Sequence, residues 1–256
     1  MKAMILAAGL GTRLRPLTDN RPKALVEVAG RTLLEIALAR LRTFGIREVI
    51  VNVHHFADMV VAYLKAHDHF GMRIEVSRED ALLDTGGGLK KAAWFFLEDS
   101  SNADEPFLLH NVDVISTIDF ARMVQAHKAN RALATLAVQK RESSRQLLFD
   151  EQLQLCGRRA GRDRKRKIGR SAPQTQALAF SGIHVISRRL FALMKEQGIF
   201  SIIDFYLRLA ASGEKIAAFR ADGYYWRDLG KPNDLQQAAQ DLEQTFSCSK
   251  PLLNLI

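Results

Sequence analysis

Five short apolar runs separated by stretches of helix length constrain this chain more than any other feature. They are "KAMILA" (2–7), "REVIVNV" (47–53), "MRIEVS" (72–77), "PFLLHNV" (106–112) and "ALATLAV" (132–138). Short runs rich in branched residues read as buried strands. Between them, Thr32-Leu-Leu-Glu35 has the form of a capping box, and Gly45 can close the helix it opens. Further helices are expected over 56–66, after Gly88 and over 119–129. Strands alternating with helices predict right-handed βαβ units and a mostly parallel central sheet flanked by helices, an α/β fold of Rossmann-like type.

The second half reads differently. "QLLFDEQLQLCG" predicts a hairpin turning at Asp150-Glu151, and "QALAFSGIHVI" a long strand. Ser187 is expected to cap a helix ending near Gly198, and Ser201 another. "KIAAFRA" and "GYYWRDL" read as strands, and Pro232 suits the first turn of a last helix. These signals predict one domain over residues 1–246 and a C-terminal tail, 247–256. Residues 1–140 form its first half; residues 141–246 cover the carboxyl edge of the sheet, where such folds bind ligands.

Composition narrows the function classes. The longest apolar runs fall far short of the ~20 residues a membrane span requires, and the start "MKAMILAAG" reads as a first strand, not a signal segment. Only Cys156 and Cys248 occur, so neither a disulfide framework nor a zinc site is expected, and a cytoplasmic setting is the default. The net charge of +9 suggests nucleic acid until its distribution is considered. Residues 158–170, "RRAGRDRKRKIGR", carry eight Arg or Lys and one Asp, a net +7. The basicity belongs to one segment, so no nucleic-acid face is expected. That segment is expected to be a mobile basic arm outside the core.

The loop after the first strand, "LAAGLGTRLRPLTDNRPKAL" (6–25), carries the chemistry. Gly9 and Gly11 permit close approach of the backbone, whose N–H groups can cradle phosphate oxygens. Arg13, Arg15 and Lys23 supply positive charge. The dinucleotide pattern GxGxxG fails at Leu14, which argues against an NAD-linked oxidoreductase, and no P-loop is present. A solvated loop with its arginines in water is the plain alternative.

This stretch resembles the opening motif of the sugar-phosphate nucleotidyltransferases, LAAGxGTRLxPLT followed by PKP, with Ala24 in place of the last proline. Further matches follow in family order: "DTGGGLKKA" at 84–92, "HNVD" at 110–113, "FSGIHVIS" at 180–187 and "WRDLGKP" at 226–232. Among its branches the chain looks most like the N-acetylmuramate-1-phosphate uridylyltransferases and the mannose- or heptose-1-phosphate guanylyltransferases. The left-handed β-helix repeats of longer relatives are absent from it.

The resemblance implies transfer of a nucleotidyl group from an NTP, UTP or GTP, to a sugar 1-phosphate, releasing pyrophosphate. Arg13 and Lys23 would be catalytic, stabilising charge on the phosphates. Leu6, Ala8, Gly9, Gly11 and Thr12 would bind the nucleotide with them, and Leu82, Thr85, Gly86 and Gly87 would contact its base. Asn111, Ser181 and Gly182 would touch the sugar. Asp113 and Asp228 would hold Mg²⁺. Two departures from the family leave the sugar open: Val112 stands where relatives have a small residue, and the basic arm replaces a Glu-Lys pair. His110 reads as a buried structural histidine, and "HHF" at 54–56 has poor spacing for a metal. A non-catalytic nucleotide-sugar sensor or RNA-binding protein on the same fold is the rival reading.

Overall fold

The structure is a computed structural model that describes residues 1–98, 105–160 and 165–247. Of the expected features, residues 161–164 of the basic arm and nearly all of the tail lie outside the described residues. Along the chain run β1 (Ala3–Leu6), β2 (Glu27–Val28), β3 (Arg31–Thr32), α1 (Leu33–Thr43), β4 (Glu48–Val53), α2 (Ala57–Ala66) and β5 (Arg73–Arg78). Next come α3 (Asp84–Lys91), α4 (Ala93–Leu97), β6 (Pro106–Asn111), β7 (Val114–Ser116), α5 (Phe120–Ala129) and β8 (Ala134–Gln139). The remainder comprises β9 (Arg145–Phe149), β10 (Leu155–Ala160), β11 (Lys165–Ile168), β12 (Gln176–Ser187), α6 (Ile202–Ala211), β13 (Ile216–Arg220), β14 (Trp226–Asp228) and α7 (Pro232–Ser247). The α/β class expected from the alternating runs is the one observed. These elements gather into two compact units, one of residues 1–82, 110–118 and 224–256, the other of residues 83–109 and 119–223.

In the first unit β1, β4 and β5 are parallel, with Ala3 opposite Val49 and Glu48 opposite Arg73. The crossovers are α1 and α2, as βαβ units require. Thr32 caps α1 by accepting from the Glu35 N–H at 3.1 Å, and Gly45, at φ 73°, ends it. The α1 face carrying Leu34, Leu38 and Leu41 is wholly buried, as are Met4, Ile5 and Val49–Val51 of the sheet. Two antiparallel ladders, β2 with β3 and β7 with β14, complete this unit.

The second unit is mainly antiparallel. Strand β8 lies between β12, antiparallel, and β13, parallel. Strand β12 also pairs with β9, which continues through β10 to β11. The Asp150 turn forms as expected: the Gln154 N–H donates to Asp150 Oδ1 at 2.8 Å. Phe96, Phe107 and Phe191 stack at ring separations of 4.1 to 5.7 Å.

Three expectations are corrected here. Among the described residues of the basic arm, 158–160 belong to β10 and 165–168 to β11, and three of its cations have fixed carboxylate partners. Lys167 pairs with Asp204 at 2.7 Å, Arg158 with the same carboxylate at 3.3 Å, and Arg170 with Asp150. Ser187 caps no α-helix, because its hydroxyl donates to the Ala132 carbonyl at 3.1 Å and only a 3₁₀ segment, Arg188–Leu193, follows. The helix expected after Gly88 begins earlier, at Asp84, so all three glycines lie inside α3.

Candidate active site

The first unit assembles the loop and both aspartates. Strand β1 ends at Leu6, and the Ala7 N–H donates to Asn52 Oδ1 at 2.8 Å. Asn52, buried on β4, donates in turn to Glu79 Oε1 at 2.7 Å. This amide fixes where the loop leaves the sheet. Its backbone then turns at Gly11, φ 67°, where a Cβ would lie 2.9 Å from Thr18 Cγ2 and 3.2 Å from Lys23 Cβ. Only glycine meets both demands. The Thr18 hydroxyl donates to the Gly11 carbonyl at 2.9 Å, and Leu14, wholly buried, anchors the 3₁₀ turn Thr12–Leu14. Thus Gly9, Thr12 and Arg13 stay at the surface on a loop fastened from beneath. Arg15 leaves this group and pairs with Asp19 at 3.3 Å.

Pro22 leads into a second 3₁₀ turn, Lys23–Leu25, which buries the stem of Lys23 and aims its ammonium at Asp113. The two form an ion pair. Asp113 stands in the turn between β6 and β7, close to the end of β1, since the Val112 N–H donates to the Leu6 carbonyl at 3.1 Å. Asp228 ends β14, opposite Val114 in the ladder with β7, and the Leu229 N–H donates to the Asp113 carbonyl at 2.8 Å. A ladder of three residue pairs therefore joins carboxylates that are 115 positions apart in sequence.

Their electrostatics follow from this proximity. Burial, and then the Asp113 carboxylate, push the Asp228 carboxyl above its ordinary pKa. The Gly230 N–H, Lys23 and Arg13 act in the opposite direction. The Gly230 N–H donates to Asp228 Oδ1 at 2.7 Å. A Cβ at Gly230 would lie 2.5 Å from Arg13 Nη2 and 2.6 Å from Asp228 Oδ1, so the guanidinium rests against this glycine. Arg13, Lys23, Asp113 and Asp228 thus form one cluster, two cations and two carboxylates. Two acidic groups brought together in this way suit a divalent cation whose other ligands are phosphate oxygens and waters. Among the described residues no group of three or more His, Cys, Asp or Glu has metal-binding geometry.

His110 is buried and keeps the structural role expected of it. Burial holds its pKa down to about 4, and its Nδ1 hydrogen-bonds the Asn111 carbonyl at 2.8 Å. His54 is likewise occupied, with Nδ1 on the Glu79 carbonyl at 2.8 Å. Asn111 and Leu82 also belong to the first unit, and Leu82 is exposed.

Thr85, Gly86, Gly87, Ser181 and Gly182 belong to the second unit. There the N–H groups of Gly86 and Gly87 donate to the Phe200 carbonyl at 2.9 and 3.3 Å, and Thr85 Oγ1 accepts from the Ile202 N–H at 3.0 Å. A Cβ at Gly86 would lie 2.4 Å from the Phe200 ring, and one at Gly87 2.4 Å from the Gly198 carbonyl oxygen. Glycine inside a helix costs about 1 kcal/mol relative to alanine, and close packing against 198–200 accounts for two of the three. Ser181 is buried, and Gly182, at φ 74°, sits where the β12–β8 register shifts. Sequence reasoning missed Asn52, Thr18 and Gly230. Thr18 and Gly230 each lie within a quoted motif, at the end of LAAGxGTRLxPLT and after Asp228-Leu229, whereas Asn52 left no such signal.

Residues 2–147 match the family described as nucleotidyl transferase. The N-acetylmuramate alpha-1-phosphate uridylyltransferase of Caulobacter vibrioides is 35% identical over 235 residues, covering 90% of this chain and 92% of that protein. The mannose-1-phosphate guanyltransferase of Yarrowia lipolytica is 29% identical over 91% of this chain, which spans 62% of that protein's length. Among solved structures, HddC from Yersinia pseudotuberculosis complexed with GMP-PN superposes with a TM-score of 0.72 at 20% identity, covering 94% of this chain and 98% of the other. A structure from Bacillus anthracis assigned as a glucose-1-phosphate thymidylyltransferase, in complex with a sucrose, gives 0.73 at 20% identity, covering 94% of each chain. Both structures share the fold.

Proposed function

The chain belongs to the nucleotidyl transferase family, and on that premise we propose that it transfers a uridylyl or guanylyl group from an NTP to a sugar 1-phosphate. The observation that carries the reading is the convergence of Arg13, Lys23, Asp113 and Asp228 in one unit. A binding module would need the cations for its nucleotide but not two carboxylates set against each other. In this reaction the sugar phosphate oxygen attacks the α-phosphorus in line and pyrophosphate leaves, with no covalent nucleophile. Repulsion between two polyanions is the main obstacle, so catalysis is positioning plus charge neutralisation.

The residues divide these tasks. Gly9, Gly11 and Thr12 present backbone and hydroxyl donors to the triphosphate, and Arg13 adds charge from beside Gly230. Lys23 exchanges its bond to Asp113 for one to the α-phosphate and neutralises charge as the incoming phosphate approaches. Asp113 and Asp228 would together hold Mg²⁺, which when bound supplies Lewis-acid stabilisation of phosphate charge. For the base and sugar, the proposed contacts at Leu82, Thr85, Gly86, Gly87, Asn111, Ser181 and Gly182 rest on the family resemblance. UTP is the first nucleotide to test, because the Caulobacter relative matches over 90% of this chain.

Pyrophosphate release over a matrix of the four NTPs and several sugar 1-phosphates, with Mg²⁺ present, tests the proposal. Turnover with UTP or GTP and one sugar 1-phosphate is expected. Nucleotide binding without pyrophosphate release from any pair would favour the sensor reading.

A further inference from the structure

The second unit holds a cavity of about 380 Å³ lined by His127, Lys128, Arg131, Ala132, Ser187 and Arg189. Three of these six residues are cations at neutral pH, and none is a carboxylate. A fourth cation, Lys215, stands alongside, its Nζ donating to Asn130 Oδ1 at 3.4 Å. Glu214 offsets part of this charge by pairing with Arg189 at 3.2 Å. Lys128 and Arg131 are exposed and have no carboxylate partner among the described residues. Like charges gathered around a concave surface raise its potential, which favours an anion.

The cavity adjoins the end of α5, whose carbonyls could in principle neutralise nearby cations. Three of them are already engaged by the chain itself. The Ala126 carbonyl accepts the Asn130 N–H at 3.0 Å and its Nδ2 at 2.9 Å. Those of His127 and Lys128 accept the Ala132 and Arg131 N–H groups at 3.2 and 3.0 Å.

The cavity wall at His127 and Ser187 is preformed. Both residues are buried, and the Ser187 hydroxyl spends its one proton on the Ala132 carbonyl. It therefore accepts from His127 Nε2–H at 3.0 Å, and His127 Nδ1 shares a hydrogen bond with the Thr135 hydroxyl at 2.9 Å. An imidazole held at both ring nitrogens gives a rigid surface. Arg131 itself has φ 49°, a left-handed conformation that strains a residue with a long side chain. Glycine or asparagine would hold that turn with less strain, whereas arginine supplies charge to the cavity.

We propose that this cavity binds a small phosphomonoester, the cations gripping its phosphate and the remaining volume taking its organic part. The site belongs to the second unit, whereas the Lys23–Asp113–Asp228 cluster belongs to the first.

Calorimetric titration of inorganic phosphate and of glycerol phosphate, at constant ionic strength, tests the site. The full chain carrying Lys23→Ala is used, so that phosphate at the catalytic cluster contributes little. Saturable binding of both is expected, the ester more tightly. Adding Lys128→Glu with Arg131→Glu should weaken binding at least tenfold; on the unaltered chain the same pair should leave the melting temperature and pyrophosphate release unchanged. Lys128→Gln with Arg131→Gln serves if charge reversal impairs folding, and the same loss is expected. Absence of binding, or binding insensitive to both pairs of substitutions, would overturn the proposal.

Discussion

Gly230 offers the sharpest test of the catalytic cluster, because its substitution adds one methyl group and removes no functional atom. A Cβ there would lie 2.5 Å from Arg13 Nη2, 2.8 Å from Arg13 Cζ and 2.6 Å from Asp228 Oδ1. Ordinary contact begins near 3.4 Å, so the guanidinium, or the carboxylate, must retreat by about 1 Å. A misplacement of about 1 Å at a site of this kind costs on the order of 10²-fold in rate. That corresponds to about 2.7 kcal/mol of transition-state stabilisation. The fold should tolerate the change: Gly230 is not in the left-handed region, and the atoms struck lie at the ends of side chains. Gly230→Ala is thus expected to lower kcat/KM for pyrophosphate release about 10²-fold while the melting temperature stays within a few degrees of the parent's. Activity within threefold of the parent would refute the placement of Arg13 against this glycine. A collapse in melting temperature would show instead that the glycine serves packing.

Further outcomes follow from the same contacts. Lys23→Ala should reduce turnover by ~10²-fold or more, the scale for a preorganised charge stabiliser, with circular dichroism unchanged; a loss of only a few-fold would remove Lys23 from the mechanism. Asp228→Asn should abolish most activity yet raise the melting temperature at neutral pH. Burial and Asp113 raise the Asp228 pKa, so stability present with the proton bound is lost as pH rises through the folded value. The advantage of the variant should accordingly shrink on acidification through the carboxylate range, and melting curves that shift equally at all pH values would contradict this. Gly169→Ala would place a Cβ 2.5 Å from the Leu207 carbonyl oxygen. It should destabilise the protein by about 1–3 kcal/mol in denaturant melts, and a neutral effect would mean that the β10–β11 hairpin is not clamped to α6.

Features governed by near neighbours in sequence were legible without a structure. The Thr32–Glu35 cap, the Asp150 turn and the parallel order of β1, β4 and β5 all rest on local pattern and a known chirality. Failures occurred where a distant residue decided the outcome. The run 158–170 read as a solvated arm because its charge is +7 within thirteen residues. Asp204 and Asp150, which bind its cations, lie outside that run. Ser187 read as a cap because a serine before an apolar stretch usually is one, but His127 and Ala132 claim its hydroxyl. The glycines of α3 meet a further demand that no local pattern shows, since two of them pack against the Gly198–Phe200 segment more than a hundred positions away. The site shows the same division. Gly11 and Lys23 declare themselves within one loop, whereas Asp113 and Asp228 were paired only through the order of family motifs. What joins them physically is the β7–β14 ladder, and a three-residue strand such as β14 has no periodicity long enough to reveal its partner. Charge supplies the missing constraint. Two carboxylates close enough to raise the pKa of one of them repel, and the fold sets Lys23, Arg13 and one N–H against that repulsion. A purely structural cluster would gain by losing one acid, so the cost of keeping both points to a ligand more positive than lysine.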